Sequence, residues 1–186
     1  IFDFIQEGNL LVFADVGLGK TTLLQTMMVS LVENYTPGEV CFYILDYGSK
    51  ILKSFEQVSH CADVITMDEE DKYKYFVKMI NKEIDQRSEK FTQASVSNYY
   101  AYKQVSDEPM PVWIIALDSY STFIELYPDE EEFIIGLCRD GASLGIYVVL
   151  TTSKISDVRY RVSMYFKNVI AIGVEDKFEL SALVGK

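Results

Sequence analysis

Several residue types are scarce in this sequence, and each scarcity rules something out. Three cysteines, Cys41, Cys61 and Cys138, stand far apart and in none of the spacings that hold zinc, a cluster or a redox pair. They read as reduced, buried thiols of a cytosolic protein, and so few exclude a disulfide-stapled scaffold. His60 is the only histidine, and it reads as structural. No apolar run approaches the roughly 20 residues of a membrane span. The start carries no secretory leader pattern, and no repeat, low-complexity tract or linker interrupts the chain. Positive charge is also in deficit, with Lys+Arg 17 against Asp+Glu 28 and a net charge of −11. Duplex DNA is held by clustered cations that release counterions, so direct nucleic-acid binding is not expected.

What remains suits one globular domain: 186 residues, 49% hydrophobic and 24% charged. The expectation is a single domain over residues 1–186, taken from a longer protein. The chain begins at Ile1 instead of Met, and its end, Glu179 to Gly185, has a helix-to-glycine pattern.

The chain is organised around its first apolar run. Leu10, Leu11, Val12 and Phe13 read as a buried strand. Ala14-Asp15-Val16-Gly17-Leu18-Gly19-Lys20-Thr21 reads as a loop, and Thr22, Leu23, Leu24, Met27, Met28 and Leu31 as a helix. Strand, glycine loop, Lys-Thr and helix is the order of a phosphate-binding loop. Backbone N–H groups and the positive end of the helix then converge on one hollow. In this reading Ala14 through Thr22 contact the nucleotide and Lys20 reaches the β- and γ-phosphates. Thr21 Oγ is a ligand of Mg²⁺. One residue departs from the G-x-x-x-x-G-K-[ST] pattern, and one that fits it carries an unhelpful charge. Ala14 replaces the first glycine, which costs little at negative φ and more at positive φ. Asp15 places a carboxylate at an anion site and has to point away from it. The competing reading is an ordinary strand–turn–helix corner with a surface lysine.

Downstream, Val40–Asp46 is a near-continuous apolar run of the kind found in parallel sheets. A short helix is expected over Lys53–Gln57 and a strand near Ala62–Thr66. Asp68-Glu69-Glu70-Asp71 and Asp129-Glu130-Glu131-Glu132 precede helical patterns. Acids there complement a helix dipole and need no binding role. The first of these helices should run to about Thr92 and resume near Tyr99. Val112–Asp118 is the second landmark, an apolar strand ending in a carboxylate. This is a Walker B pattern, in which Asp118 holds Mg²⁺ through water.

In many such ATPases a glutamate follows at once and orients the attacking water. Here Ser119 follows, and serine has no basic form near neutral pH. A missing base lowers the rate by about 10²–10⁴. Glu125 is the next carboxylate along the chain. Gly145–Thr152 is a further strand. Thr152 would sense a γ-phosphate if that strand lies between the two Walker strands; threonines that merely satisfy a strand end are the equally open alternative. Asp157–Tyr165 reads as a helix carrying Arg159 and Arg161, and Val169–Ile172 as a last strand. Alternation of strands and helices gives an α/β fold with a mostly parallel central sheet and helices on both faces. Ligand would sit at the carboxyl ends of the strands.

With these residues assembled, the chain resembles the FtsK/SpoIIIE-type P-loop ATPases. Within them it resembles the ATPase modules of the type VII secretion motor, the EssC/EccC proteins. Tyr43-Ile44-Leu45-Asp46-Tyr47-Gly48 is similar to that family's second strand. Phe55 through Val64-Ile65 is similar to its L-P-H-V-x-x-V-I segment, with Ser59 where proline is usual before His60. Glu83 to Arg87, with Phe91, resembles its E-x-x-x-R helix. Leu137-Cys138-Arg139-Asp140-Gly141 with Leu144-Gly145-Ile146 resembles its R-x-G-x-x-x-G-I lead into the sensor strand.

The resemblance implies a RecA-like P-loop NTPase fold with ATP and Mg²⁺ as cofactors. It also implies one module of several in tandem, oligomeric in the full-length protein. That protein would be membrane-anchored, with this part on the cytoplasmic side. Small secreted helical-hairpin proteins, docking through a C-terminal export signal, are the implied partners. Ala14 and Ser119 resemble the degenerate C-terminal modules of that motor. The implied function is therefore an ATP-binding module, weakly or non-hydrolysing, that serves substrate docking or motor regulation. A competent motor activated by oligomerisation and a docking module that has lost nucleotide are the alternatives. Arg139, Arg159 and Arg161 read equally well as salt-bridge partners and as trans-acting arginines.

Overall fold

The computed structural model describes residues 2–173. Helix α1 (Phe4–Glu7) is capped by Asp3, whose carboxylate accepts the N–H groups of Ile5 and Gln6. Strand β1 (Leu10–Ala14), helix α2 (Lys20–Asn34) and strand β2 (Val40–Asp46) follow. A 3₁₀ turn (Ile51–Gln57) leads to β3 (Cys61–Thr66), α3 (Glu70–Gln93), α4 (Tyr99–Val105) and β4 (Val112–Asp118). The described chain ends with α5 (Tyr120–Leu126), α6 (Glu131–Asp140), β5 (Ile146–Thr152), α7 (Tyr160–Ser163) and β6 (Asn168–Ile172).

The six strands form one sheet in the order β3-β2-β4-β5-β1-β6, and every neighbouring pair is parallel. Near-continuous apolar strands are what a sheet covered on both faces requires. Alternate side chains feed two cores. Leu10, Val12, Ile44, Ala116 and Val149 join Leu24, Met28 and Leu31 of α2 on one face. Leu11, Leu45, Leu117 and Leu150 join Phe123 of α5 and Ile134 and Leu137 of α6 on the other. The expected α/β sandwich is therefore present, its sheet wholly parallel among the described residues.

Helix α3, at 24 residues about 36 Å long, serves both cores. Tyr73, Phe76 and Ile80 pack into one, and Phe91 into the other. Arg87 sits between them, 1% exposed. Its guanidinium donates to the Glu83 carboxylate and to the carbonyls of Leu144 and Pro111, each at 2.8 Å. The cation also lies 5.1 Å from the Trp113 ring centroid. The E-x-x-x-R pattern is thus a clamp on the amino ends of β4 and β5. A Cβ on Gly141 would meet the Ile146 carbonyl at 2.8 Å. Gly145 takes φ +75 with the Tyr99 ring 2.5 Å from where its Cβ would lie. Both glycines of the lead into β5 answer to packing.

The helix expected over Asp157–Tyr165 is shorter in the structure. A 3₁₀ turn (Ile155–Asp157) and α7 are separated by extended backbone at Val158 and Arg159, where Arg159 reaches Glu131 at 3.0 Å. Helix α5 is an addition, since no helix is expected directly after β4. Ser119 turns the chain into it with φ 68. The Glu179–Gly185 pattern lies outside the described residues. No helix among the described residues is long and apolar enough to cross a membrane.

Candidate functional site

The glycine loop connects the carboxyl end of β1 to α2. Gly17 and Gly19 take φ 84 and 94, conformations that suit glycine, whereas Ala14 has no positive φ and is the last residue of β1. Alanine at the first pattern position therefore introduces no backbone strain. Asp15 is exposed and Val16 is 86% exposed, so the loop turns these side chains to solvent. Gly19 caps α2 without a side-chain acceptor, which leaves the helix's first N–H groups and its positive end directed at the loop.

Lys20 Nζ donates to the carbonyls of Ala14 (2.6 Å) and Asp15 (3.0 Å). An ammonium has three donors, so one remains for an anion in the hollow. Burial lowers the lysine below its ordinary pKa, while the charges of Asp118 and Asp15 oppose that shift. Thr21 Oγ1 donates to Asp118 Oδ2 at 2.9 Å, which joins the loop to the end of β4. Asp118 is 2% exposed, and burial pushes its carboxyl above the usual carboxylate value. Hydrogen bonds from Thr151 and Thr21 and the charge of Lys20 oppose this; Asp46 adds to it.

Asp46 faces Asp118 across the β2–β4 register. Its two oxygens accept the N–H groups of Gly48 (3.1 Å) and Leu52 (3.0 Å) and so shape the loop after β2. That loop passes close to the site: a Cβ on Gly48 would stand 3.0 Å from Asp118 Oδ2.

Thr21 and Asp118 fit a Mg²⁺ ion. Thr21 gives its proton to Asp118 and keeps its lone pairs, and both residues offer hard oxygens. Mg²⁺ is commonly held by one or two protein oxygens together with water and phosphate oxygens. Ser119 occupies the position where a base would follow Asp118. Its N–H donates to Thr151 Oγ1 at 2.9 Å, and its Oγ lies 2.9 Å from Thr122 Oγ1. Glu125 is exposed on α5.

Strand β5 lies between β1 and β4, so the condition set for Thr152 is met. The side chains of β5 alternate, however. Thr152 is buried with its hydroxyl on the Lys154 carbonyl (2.9 Å) and 3.2 Å from Ser121 Oγ of α5. Thr151, not anticipated from sequence, turns to the face covered by α2 and donates to Asp118 Oδ1 at 2.6 Å. The signal for it was the threonine pair; only the sheet register decides which hydroxyl meets Asp118. Gly173, at φ +70, lies under the loop, its missing Cβ 2.3 Å from Leu18 Cδ1. Thr22 is exposed on the first turn of α2.

The three arginines read as candidates for a trans-acting role all have carboxylate partners. Arg139 pairs with Asp140, Arg159 with Glu131 and Arg161 with Glu132. His60 is buried, with Nε2 2.8 Å from the Tyr35 carbonyl and its ring stacked on Phe42.

Comparison with known proteins bears on this arrangement. The sequence profile of the FtsK/SpoIIIE family matches residues 1–155. The chain belongs to the FtsK/SpoIIIE family. This FtsK/SpoIIIE chain is 32% identical over 185 residues to the ESX secretion system protein EccC of Geobacillus thermodenitrificans, matching 100% of this chain and 12% of that protein. It is 28% identical over 186 residues to the type VII secretion system protein EssC of Staphylococcus aureus, matching 97% of this chain and 12% of that protein. It therefore spans 12% of the length of these curated relatives.

Among solved structures, EssC (ATPases 2 and 3) of Geobacillus thermodenitrificans superposes with a TM-score of 0.94 at 32% identity, over 100% of this chain and 36% of that one. Thermomonospora curvata EccC (ATPases 2 and 3), in complex with a signal sequence peptide, gives 0.89 at 25%, over 96% and 33%. The conjugation coupling protein TcpA, solved with ATPγS, shares the fold at 0.77 and 17% identity, over 97% and 53%. The six-stranded parallel sheet is thus the RecA-like P-loop ATPase fold of EssC/EccC domains, and the chain is homologous to ATPase domains of the type VII secretion motor.

Proposed function

We propose that residues 1–186 form one ATP-binding, weakly or non-hydrolysing module of a membrane-anchored type VII protein secretion motor. The contact that carries this reading is the one between Thr21 and Asp118, which brings the phosphate loop and the end of β4 to hydrogen-bond distance at 2.9 Å. Ala14 to Thr22, with Thr152, make up the nucleotide-binding set, and Thr21 and Asp118 the Mg²⁺ set. Magnesium would supply charge neutralisation beside the phosphates. Weak turnover follows from Ser119, which is not basic and whose hydroxyl is held against Thr122. A module that has lost nucleotide altogether is the weaker reading, because Ala14 sits in β1 without strain and Asp15 points to solvent.

In this proposal bound nucleotide stabilises the fold and its contacts with other ATPase modules of the same motor, on the cytoplasmic side of the membrane. The module contributes to docking of small secreted helical-hairpin proteins through a C-terminal export signal, or to regulating the motor. The signal sequence peptide in the Thermomonospora curvata EccC structure supports the docking role. Calorimetry with Mg-ATP tests the site: the wild type binds and Lys20→Ala does not. Equal binding by both would remove the assignment. Phosphate release at the rate of an ordinary motor ATPase would remove the low-turnover part alone.

A further inference from the structure

We propose that Thr151 is a positioning residue for the metal-bound nucleotide, acting through Asp118. The inference rests on the reading of Thr21 and Asp118 as the Mg²⁺ residues. Thr151 is fully buried at the end of β5, on the face shared with α2. Its hydroxyl makes two bonds whose directions are forced. The Ser119 N–H can only donate, so Thr151 Oγ1 accepts there at 2.9 Å. Its single proton then goes to Asp118 Oδ1, at 2.6 Å, a charge-assisted bond. The chain N–H to O–H to carboxylate thus has one polarity, and each bond strengthens the next.

The consequence is geometric. With Oδ1 held by Thr151, the carboxylate plane cannot turn, and Oδ2 stays directed at Thr21. The β-branched threonine is itself stiff at χ1, which adds rigidity to the anchor. The left-handed backbone of Ser119 (φ 68) has a role in the same device, because its main-chain N–H is what orients Thr151. Residue 119 therefore serves the site through its backbone, and its side chain turns to Thr122. Partners that orient a metal's ligands commonly change metal affinity 10–100-fold when removed.

The test compares Thr151→Val, Thr151→Ser and wild type by calorimetry, titrating ATP with magnesium and again with EDTA. Valine keeps the shape and removes the hydroxyl; serine keeps the hydroxyl. The expected result is a loss of about 10-fold or more in Mg-ATP affinity for the valine variant. Its affinity for metal-free ATP should stay at the wild-type value, and serine should restore Mg-ATP binding. If valine does not fold, as judged by its melting curve, Thr151→Ala takes its place in the same titrations. Wild-type affinity in the hydroxyl-free variant overturns the proposal. So does a loss of equal size with and without magnesium, and so does failure of serine to rescue. A wild type that binds nucleotide under neither condition overturns the nucleotide reading itself, and this proposal with it.

Discussion

Asp118 is held by Thr21 and Thr151 and faces both Lys20 and Asp46. Burial raises its pKa in the folded protein despite the hydrogen bonds it accepts. A carboxyl whose folded pKa exceeds its unfolded one binds protons more tightly when folded. Its contribution to stability is therefore largest below the unfolded value and is lost as pH rises through the window up to the folded value. Above that window the ionised carboxylate weighs against the fold, which carries it for the sake of the site. Asp118→Asn should accordingly raise the melting temperature of the ligand-free protein at pH 7, and the gain should shrink as pH falls through that window. In this size range each kcal/mol corresponds to about 2–4 °C. The same variant should lose the extra affinity that magnesium gives to ATP. An unchanged or lower melting temperature at pH 7 would contradict this account of the carboxylate.

Helix α3 and its arginine set the next scale. The guanidinium of Arg87 satisfies carbonyls at the amino ends of two strands and is almost wholly removed from water. Taking it away leaves the Leu144 and Pro111 carbonyls and the half-buried Glu83 carboxylate without their partner. Losing hydrogen bonds from a buried charged group at about 1.5–3 kcal/mol each sums to about 3–5 kcal/mol. Arg87→Ala should therefore lower the unfolding free energy by that amount in urea titration. Arg87→Lys should recover little, because a single ammonium cannot span the Leu144 and Pro111 carbonyls as the fork does. A loss under 1 kcal/mol for alanine would show that the clamp is dispensable. Arg87 lies at the strands' amino ends, away from the phosphate loop. Mg-ATP affinity of the folded variant should therefore match wild type.

At the scale of the whole molecule, charge and ligand linkage make separate demands. With a net charge of −11, the chain should give no electrophoretic shift with duplex DNA at moderate salt, where counterion release needs a basic surface. A shift reversed by salt would reopen a nucleic-acid role. Binding of a nucleotide to the folded state alone should raise the melting temperature in step with its concentration. At 100 times Kd the stabilisation is about 2.7 kcal/mol. The shift should vanish in Lys20→Ala, and scanning calorimetry with and without Mg-ATP reads both outcomes.

Much of this is legible in the order of the amino acids alone. Leu10–Phe13, Val40–Asp46 and Val112–Asp118 announce buried parallel strands because local hydrophobic runs depend on neighbours in sequence. Gly17, Gly19, Lys20 and Thr21 announce the loop for the same reason. What sequence could not decide were relations between strands far apart along the chain. The order β3-β2-β4-β5-β1-β6 sets Asp46 beside Asp118, and strand alternation chooses Thr151 over Thr152 to hold that carboxylate. The helical pattern that reads as continuous from Asp157 to Tyr165 is interrupted at Val158, which is buried in the core, and at Arg159, which pairs with Glu131. Local periodicity names the elements, because it is written into consecutive residues. The partners at the site are decided by sheet register and side-chain packing, which exist only once the chain has folded.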